Sequence, residues 1–251
     1  LASLYHDDVM DEAPLRRGVP TAQKIFGNTA AIMAGDVLFA RASSIVSKLG
    51  PEAVLLHAKA FERLCVGELH EIAGVPAGVD PVSHYLQVLS DKTGSLIAAS
   101  AEHGVMAAGG TPEYARAVAA YGEKIGVAFQ LADDVIDLVS DPETTGKRAG
   151  TDLLENVDTM PTLLLRQAAK DGTIDDLGAE ILAALDSGDL TEGPALDRTV
   201  AKLRVHDVVE QTRELAQQWT NDSLLELEIL PDGQVRDALA TFAYAMVHRM
   251  A

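Results

Sequence analysis

Apolar and small residues recur with helical periodicity along most of the chain, and polar residues fill the positions between them. The helices predicted by this pattern cover about 1–12, 29–49, 52–73, 92–100, 112–139, 159–170, 174–185, 194–229 and 232–250. Gly50-Pro51 ends one helix, and Asp80-Pro81 begins a further short helix with a capping residue followed by proline. No convincing strand pattern is present, so we predict an all-α helical bundle.

The composition indicates the number of domains. No change in composition separates two halves of the 251 residues, so we expect a single domain over 1–251. Aromatic residues make up only 4% of the chain, and alanine and leucine must therefore fill the core, which favours closely packed helices. Leu1 already lies within a helical pattern, so we expect further N-terminal helices upstream of it.

Charge and cysteine content restrict the partners and the compartment. The net charge of −18 argues against a nucleic-acid partner and against anionic lipid surfaces. No stretch approaches the roughly 18 uninterrupted apolar residues of a membrane span, so we expect none. The single cysteine, Cys65, lies in an apolar helical run, which predicts a buried, inert thiol. It cannot form an intramolecular disulfide, and this favours the cytoplasm.

Two Asp-Asp-x-x-Asp clusters lie within apolar helical patterns. The first aspartate cluster is Asp7, Asp8 and Asp11, and the second is Asp133, Asp134 and Asp137. The outer aspartates of each cluster are four residues apart, so they project from one helix face. Like charges at this spacing destabilise an isolated helix by about 0.2–0.5 kcal/mol, and a bound cation reverses the effect. We therefore interpret the clusters as two walls of one metal site.

Carboxylates without histidine or thiolate ligands suit Mg²⁺, which is usually shared with substrate phosphates. Cations that can bind phosphate accompany the clusters and other motif segments: Arg16, Arg17, Lys92, Lys147 and Arg148. Adjacent arginines point in different directions, so Arg16 and Arg17 can serve two anions, and two phosphorylated substrates are plausible. A calcium loop is a poor alternative because its spacing is absent. Helix capping explains Asp80 well but three clustered aspartates poorly.

These motifs resemble those of the trans-type polyprenyl diphosphate synthases, the head-to-tail chain-elongating prenyltransferases. The resemblance is specific over about residues 1–165. It rests on the runs Ser3-Leu4-Tyr5-His6-Asp7-Asp8-Val9-Met10-Asp11, Leu15-Arg16-Arg17-Gly18, Gly35-Asp36-Val37-Leu38, Lys92-Thr93-Gly94, Phe129-Gln130-Leu131-Ala132-Asp133-Asp134-Val135-Ile136-Asp137 and Gly146-Lys147. It implies an all-α fold around a central cavity, a homodimer, and condensation of isopentenyl diphosphate with an allylic diphosphate.

The resemblance also implies roles for individual residues. The six clustered aspartates would bind Mg²⁺, with three ions expected when substrate is bound. Arg16, Lys92 and Lys147 would bind the allylic diphosphate, and Arg17 would bind isopentenyl diphosphate. Thr93 and Gln130, together with Lys92, would line the reacting end. The family's Gly-Lys-x-x-Arg-Pro segment and a histidine, which complete the isopentenyl diphosphate site, would lie upstream of Leu1.

The resemblance further implies that product length depends on the residues one turn before Asp7. Short-product members of the family tend to carry bulky aromatic residues there, whereas this chain has Ala2 and Ser3. Small side chains would deepen the cavity, so we expect an all-trans product longer than C20. Ala2→Phe should then shorten the product.

Two other functions compete with this prediction. A class I terpene cyclase shares the first motif, but its second motif typically mixes Asn, Ser or Thr and Glu, unlike the second aspartate cluster. A non-catalytic subunit of a heteromeric prenyl synthase would usually lose the aspartates, and both clusters are intact here. The sequence therefore favours the chain-elongating enzyme.

Overall fold

The computed structural model describes residues 1–139, 149–155, 157–188, 190 and 193–248. Helices account for all the long elements of these residues, and the predicted all-α class is confirmed. The residues group into two compact units, Leu1–Lys59 and Ala60–Ala251. A single domain over 1–251 stays a prediction.

In the first unit a short helix packs across a long one. α1 packs against α3, and α2 contacts both. The elements are α1 (Ala2–Met10), β1 (Leu15–Arg16), β2 (Val19–Pro20), α2 (Ala22–Phe26), α3 (Asn28–Val46), a 3₁₀ turn (Ser47–Leu49) and the beginning of α4 (Pro51–Ala73).

The sequence pattern missed the hairpin of β1 and β2, in which Leu15 pairs with Pro20 and Arg16 with Val19. Its turn residues Arg17 and Gly18 have φ angles of 52° and 79°. Two consecutive left-handed residues are typical of tight two-residue hairpin turns. Strands of only two residues each are too short to show an alternating pattern, so periodicity could not predict this hairpin.

α3 leaves much of its apolar surface exposed within its own unit. Met33, Val37 and Ile45 are all more than half exposed. Among the described residues, the helical segment Asn28–Leu49 is long and apolar enough to cross a membrane on length and composition alone, and 11% of its most apolar window is buried. Asp36 interrupts its apolar run, and the expectation of no membrane span stays a prediction.

In the second unit α7 forms the centre. Ile125, Val127 and Leu131 of this helix are fully buried, and it packs against α6 and α12. The elements are the remainder of α4, α5 (Pro81–Leu89), a π-helical turn (Ser90–Gly94, called the π-turn below), α6 (Ser95–Ala107), α7 (Pro112–Val139), α8 (Thr151–Leu154), α9 (Met160–Asp171), α10 (Asp176–Leu185), α11 (Pro194–Arg204), α12 (Asp207–Glu226), a 3₁₀ turn (Leu227–Ile229) and α13 (Gln234–Val247).

Local capping explains why α5 begins where the sequence predicts. The Asp80 carboxylate accepts a hydrogen bond from the Ser83 N–H at 2.9 Å, and Pro81 occupies the first turn. At the start of α7, Thr111 Oγ1 accepts a hydrogen bond from the Tyr114 N–H at 3.2 Å. Both caps satisfy N–H groups that have no partner within the helix.

Three sequence predictions were wrong in detail. The helix predicted over 194–229 is two helices, because the chain turns at His206, whose Nδ1 accepts the Val208 N–H at 3.2 Å and caps α12. The helix predicted over 92–100 is not separate from the short helix before it, since α5, the π-turn and α6 follow one another without a break. Cys65 is exposed rather than buried, because it lies on the outer side of α4.

Candidate functional site

The first aspartate cluster lies at the C-terminal end of α1. Asp7 and Asp11 are one turn apart, and the Asp11 N–H donates to the Asp7 carbonyl at 2.8 Å. Asp8 points elsewhere: it is 5% exposed, and its Oδ1 accepts a hydrogen bond from Arg16 Nε at 2.6 Å. Gln23 of α2 donates to the Asp8 carbonyl at 3.1 Å. The structure thus brings Arg16 to the cluster and anchors Asp8.

His6 fixes α1 on α3. Its Nε2 lies 3.0 Å from the Ile32 carbonyl and 3.3 Å from an Asp36 carboxylate oxygen. A Cβ at Gly35 would collide with the His6 ring, so only glycine leaves room for this contact. Asp36 therefore contributes to the orientation of the helix that carries Asp7.

The second aspartate cluster lies near the C-terminal end of α7. Asp134 is 5% exposed, and its carboxylate accepts hydrogen bonds from the Tyr85 hydroxyl at 3.0 and 2.9 Å and from the Met160 N–H at 3.1 Å. Burial raises the pKa of Asp134 to about 8, although these hydrogen bonds act in the opposite direction. Asp134 is thus anchored in the second unit, as Asp8 is in the first.

Asp137 faces the chain that returns at α8. Its carboxylate accepts the N–H groups of Thr151 at 3.2 Å and Asp152 at 3.4 Å. Burial raises its pKa, and these N–H groups partly oppose the shift. Asp133 and Gln130 are partly buried and three residues apart on α7. Helical spacing therefore places these two side chains on neighbouring positions of one face.

Lys92 lies in the π-turn and is held by two carboxylates of α4. Its Nζ is 2.9 Å from Glu68 and also pairs with Glu71. Burial lowers the pKa of Lys92, but the hydrogen bonds to both glutamates outweigh this and raise it above the usual value. The cation predicted to bind diphosphate is therefore charged and positioned, with carboxylates as its present partners.

Sequence reasoning missed the partners of these residues. Glu68 and Glu71, which pair with Lys92, were not among the predicted site residues. The i, i+3 spacing of the two glutamates was the available signal. No local signal indicated Tyr85.

The structure describes some of the other predicted site residues but not all of them. Thr93 lies in the π-turn, and Ala2 and Ser3 are partly buried at the start of α1. Arg17, in the hairpin turn, is exposed. Lys147 and Arg148 lie outside the described residues. The first cluster belongs to the first unit, and the second cluster and Lys92 belong to the second.

The donor set fits a hard divalent cation. Each cluster presents two aspartates one helical turn apart, and oxygen-only ligands are those that Mg²⁺ prefers. Within either unit's described part, no three His, Cys, Asp or Glu side chains converge on one point as a complete metal site. Mg²⁺ is commonly held by one or two carboxylates plus substrate phosphates, so an incomplete protein shell is compatible with it.

Comparison with known proteins identifies the family. The polyprenyl synthetase family model matches residues 1–183. The chain is 40% identical to the nonaprenyl diphosphate synthase of Mycobacterium tuberculosis, over 99% of this chain and 72% of that protein. It is 34% identical to heptaprenyl diphosphate synthase component 2 of Geobacillus stearothermophilus, over 97% of this chain and 73% of that protein.

A solved structure agrees with these relatives. Geranylgeranyl pyrophosphate synthase from Corynebacterium glutamicum, complexed with calcium and isoprenyl diphosphate, superposes with a TM-score of 0.84 at 36% identity, over 100% of this chain and 74% of that one. The all-α fold and both intact aspartate clusters are in keeping with this likeness. The chain therefore belongs to the polyprenyl synthetase family and is a prenyltransferase of the trans-polyprenyl diphosphate synthase type.

Proposed function

We propose that this chain is a Mg²⁺-dependent head-to-tail prenyltransferase, which condenses isopentenyl diphosphate with an allylic diphosphate to an all-trans polyprenyl diphosphate longer than C20. The observation that carries the proposal is the common design of the two clusters. In each, the outer aspartates share a helix face while the central one is buried and hydrogen bonded, Asp8 to Arg16 and Asp134 to Tyr85.

The aspartates would hold the metal ions from two sides. Asp7 and Asp11 would form one wall and Asp133 and Asp137 the other, with three Mg²⁺ ions expected when substrate is bound. Asp8 and Asp134 would complete this shell, and their hydrogen bonds to Arg16 and Tyr85 would hold the helix ends that carry the outer aspartates. When bound, Mg²⁺ neutralises charge on the leaving diphosphate.

The cations of the chain would bind the diphosphates. Arg16 has five N–H donors, so the hydrogen bond from its Nε to Asp8 fixes the guanidinium without using all of them. With Lys92 and Lys147 it would bind the allylic diphosphate, whereas Arg17 would bind that of isopentenyl diphosphate. Lys92 would exchange its contacts with Glu68 and Glu71 for the diphosphate.

In the reaction the allylic C–O bond breaks and diphosphate leaves with the electron pair. The double bond of isopentenyl diphosphate then forms the new C–C bond, and the proton lost from the adduct passes to the diphosphate. Thr93 and Gln130 would line the reacting end. Electrostatic stabilisation of the leaving group supplies the main catalytic effect, and exclusion of water protects the allylic cation.

We also propose that the active species is a cytoplasmic homodimer without a membrane span. The exposed apolar residues of α3, among them Met33, Val37 and Ile45, fit a contact with a second copy of the chain better than contact with water. Asp36 and Arg41 on the same helix favour a protein partner over lipid, because charged groups are costly inside a bilayer.

The competing function is that of one subunit of a heteromeric synthase. A relative named as component 2 of a heptaprenyl diphosphate synthase favours it. A terpene cyclase is the weaker alternative because the second cluster is entirely aspartate.

One incubation separates these functions. Full-length protein is supplied with farnesyl diphosphate, labelled isopentenyl diphosphate and Mg²⁺, with chelator and Asp7→Ala as controls. Labelled polyprenyl diphosphates longer than C20 that disappear in both controls support the proposal. Product formed only after a second, different subunit is added would favour the heteromer, and a cyclic hydrocarbon would favour the cyclase.

A further inference from the structure

The π-turn that carries Lys92 and Thr93 is tied down by polar groups that the proposed reaction has not used. A π-helical turn within a longer helix often lies at a functional site. Here Ser90 and Asp91, at its start, are 8% and 7% exposed. Buried polar groups of this kind need partners, since an unsatisfied one costs roughly 1–3 kcal/mol.

Arg63 of α4 supplies most of those partners. Its Nε donates to Asp91 Oδ1 at 2.8 Å, and its Nη2 donates to Ser90 Oγ at 3.0 Å. The same guanidinium forms a forked pair with Glu123 of α7, with both N···O distances at 2.9 Å. A forked arginine pair fixes orientation as well as distance.

Glu123 and Gln87 complete the network. The Ser90 hydroxyl donates to Glu123 Oε1 at 2.6 Å, and Gln87 Nε2 donates to Asp91 Oδ2 at 2.9 Å. Asp91 therefore has partners on both carboxylate oxygens. The network joins α4, the π-turn and α7 through three charged residues, Arg63, Asp91 and Glu123, that belong to neither aspartate cluster.

Glycines bring the three elements close enough for these contacts. A Cβ at Gly67 of α4 would lie 2.9 Å from Asp91 Cβ and Lys92 Cγ. A Cβ at Gly126 of α7 would lie 2.5 Å from Gly94 Cα. The π-turn is thus packed from two sides at the residues that flank Thr93.

We propose that Arg63 and Glu123 are positioning residues that hold the π-turn in the form in which Lys92 and Thr93 meet the diphosphate substrate. This inference rests on the proposed function. Return of the π-turn to a regular α-helix would shift the register by one residue, and one residue corresponds to a rotation of about 100°. Loss of the network would therefore misdirect Lys92 without removing it.

The chain offers a matched control for this network. Lys124, next to Glu123, forms an ion pair with Glu226 of α12 at 2.6 Å, and the side chains are 30% and 34% exposed. Arg63 and Glu123 are each 36% exposed. Glu226→Gln therefore breaks a similarly exposed ion pair of α7, whose cation Lys124 bonds to α12 rather than to the π-turn.

The experiment compares Arg63→Lys, Glu123→Gln, Ser90→Ala and Glu226→Gln by steady-state kinetics well below each melting temperature. Arg63→Lys keeps the charge but loses the fork, and we expect kcat to fall at least tenfold in it and in Glu123→Gln. Ser90→Ala should lower kcat by a smaller factor. Glu226→Gln should lower the melting temperature with kcat within twofold of wild type.

A double-mutant cycle separates positioning from plain stabilisation. If Arg63 acts through Lys92, then Arg63→Lys should lower kcat less than threefold further in a Lys92→Ala background. If its effect is only structural, Arg63→Lys should lower kcat by the same factor in the Lys92→Ala background as in wild type. The inference would be overturned by an equal factor in the two backgrounds, or by an Arg63→Lys enzyme with kcat within twofold of wild type. Wild-type protein that makes no prenyl product would instead overturn the proposed function.

Discussion

The hydroxyl of Tyr85 in α5 lies within 3.0 Å of both carboxylate oxygens of Asp134 in α7. In the other unit, Arg16 Nε donates to one carboxylate oxygen of Asp8 at 2.6 Å. In the proposed site, the two outer aspartates of each cluster would face the cation, and the central one would also anchor the helix end.

Removal of the Tyr85 hydroxyl should weaken the second cluster. In Tyr85→Phe a buried carboxylate loses a donor, and we expect the free energy of unfolding to fall by about 1–3 kcal/mol. Groups that orient metal ligands typically change metal affinity or activity by roughly 10–100-fold. We therefore expect the Mg²⁺ concentration for half-maximal activity to rise within that range, measured by titration of the prenyl transfer assay.

Tyr121→Phe is the control for this prediction. The Tyr121 hydroxyl in α7 donates to the Leu239 carbonyl at 2.7 Å, a partner outside the clusters. This variant should lose stability with an unchanged Mg²⁺ requirement. An equal change in Mg²⁺ requirement in both variants would show that Tyr85 acts only through stability.

The outer aspartates should be needed individually for catalysis. Asp7→Asn and Asp133→Asn each remove one charged ligand, and we expect kcat to fall at least a hundredfold, about 3 kcal/mol of transition-state stabilisation. Chelation should abolish activity, and added Mg²⁺ should restore it. Asp232→Asn, at a side chain that is 97% exposed, should leave kcat unchanged. Activity that survives chelation would argue against a metal-dependent reaction.

The sequence predicted local features well and distant ones poorly. The i, i+4 aspartates and the Asp80 cap depend on residues that are neighbours in a helix, so spacing alone revealed them. The Tyr85–Asp134 bond and the Arg63–Glu123 pair join positions 49 and 60 residues apart. Such partners depend on how helices pack, and no periodicity encodes them.

Gly126 should not tolerate a side chain. In Gly126→Ala the new Cβ would lie 2.5 Å from Gly94 Cα, a backbone atom that cannot rotate away. Overpacking of this kind typically costs about 1–3 kcal/mol, and displacement of the π-turn should lower kcat as well. Gly104→Ala in α6 meets nothing within 4 Å and should be neutral or stabilise the protein by about 0.5–1 kcal/mol. Thermal unfolding of the two variants measures whether each substitution lowers or raises the stability as expected.

The Arg63–Glu123 pair should make the stability of the folded protein depend on pH in the acidic range. Hydrogen bonds from Arg63 lower the pKa of Glu123, burial opposes them, and the Ser90 hydroxyl adds to the lowering. Because the pKa is lower in the folded state, the unfolded chain binds the proton more readily. The stabilisation is present above about pH 4.5 and is lost as pH falls through the folded-state pKa.

Melting temperatures between pH 6 and pH 3 test this dependence. We expect the difference between wild type and Glu123→Gln to be largest near pH 6 and to shrink steadily on acidification. Arg63→Gln should converge on wild type in the same way, because it removes the cause of the shift. A difference that stays constant over this range would mean that Glu123 titrates alike in both states.

Product length should respond to the residues at the start of α1, and Ser3 more than Ala2. Ser3 precedes Asp7 by four residues and so shares its face, whereas Ala2 precedes His6 by four residues, and His6 packs against α3. A bulky ring at position 3 should therefore close the cavity beneath the allylic substrate. Ala2→Phe should also shorten the product, but by fewer isoprene units than Ser3→Phe.

Chromatography of labelled products from the two variants measures the effect. Ala238→Phe, which adds the same ring to an exposed position of α13, serves as the control and should leave the product distribution unchanged. Wild-type products that end at C15 or C20 would show that small residues before Asp7 do not set the depth of this cavity. A shorter product in Ala2→Phe than in Ser3→Phe would mean that the face shared with His6, and not the one shared with Asp7, borders the growing chain.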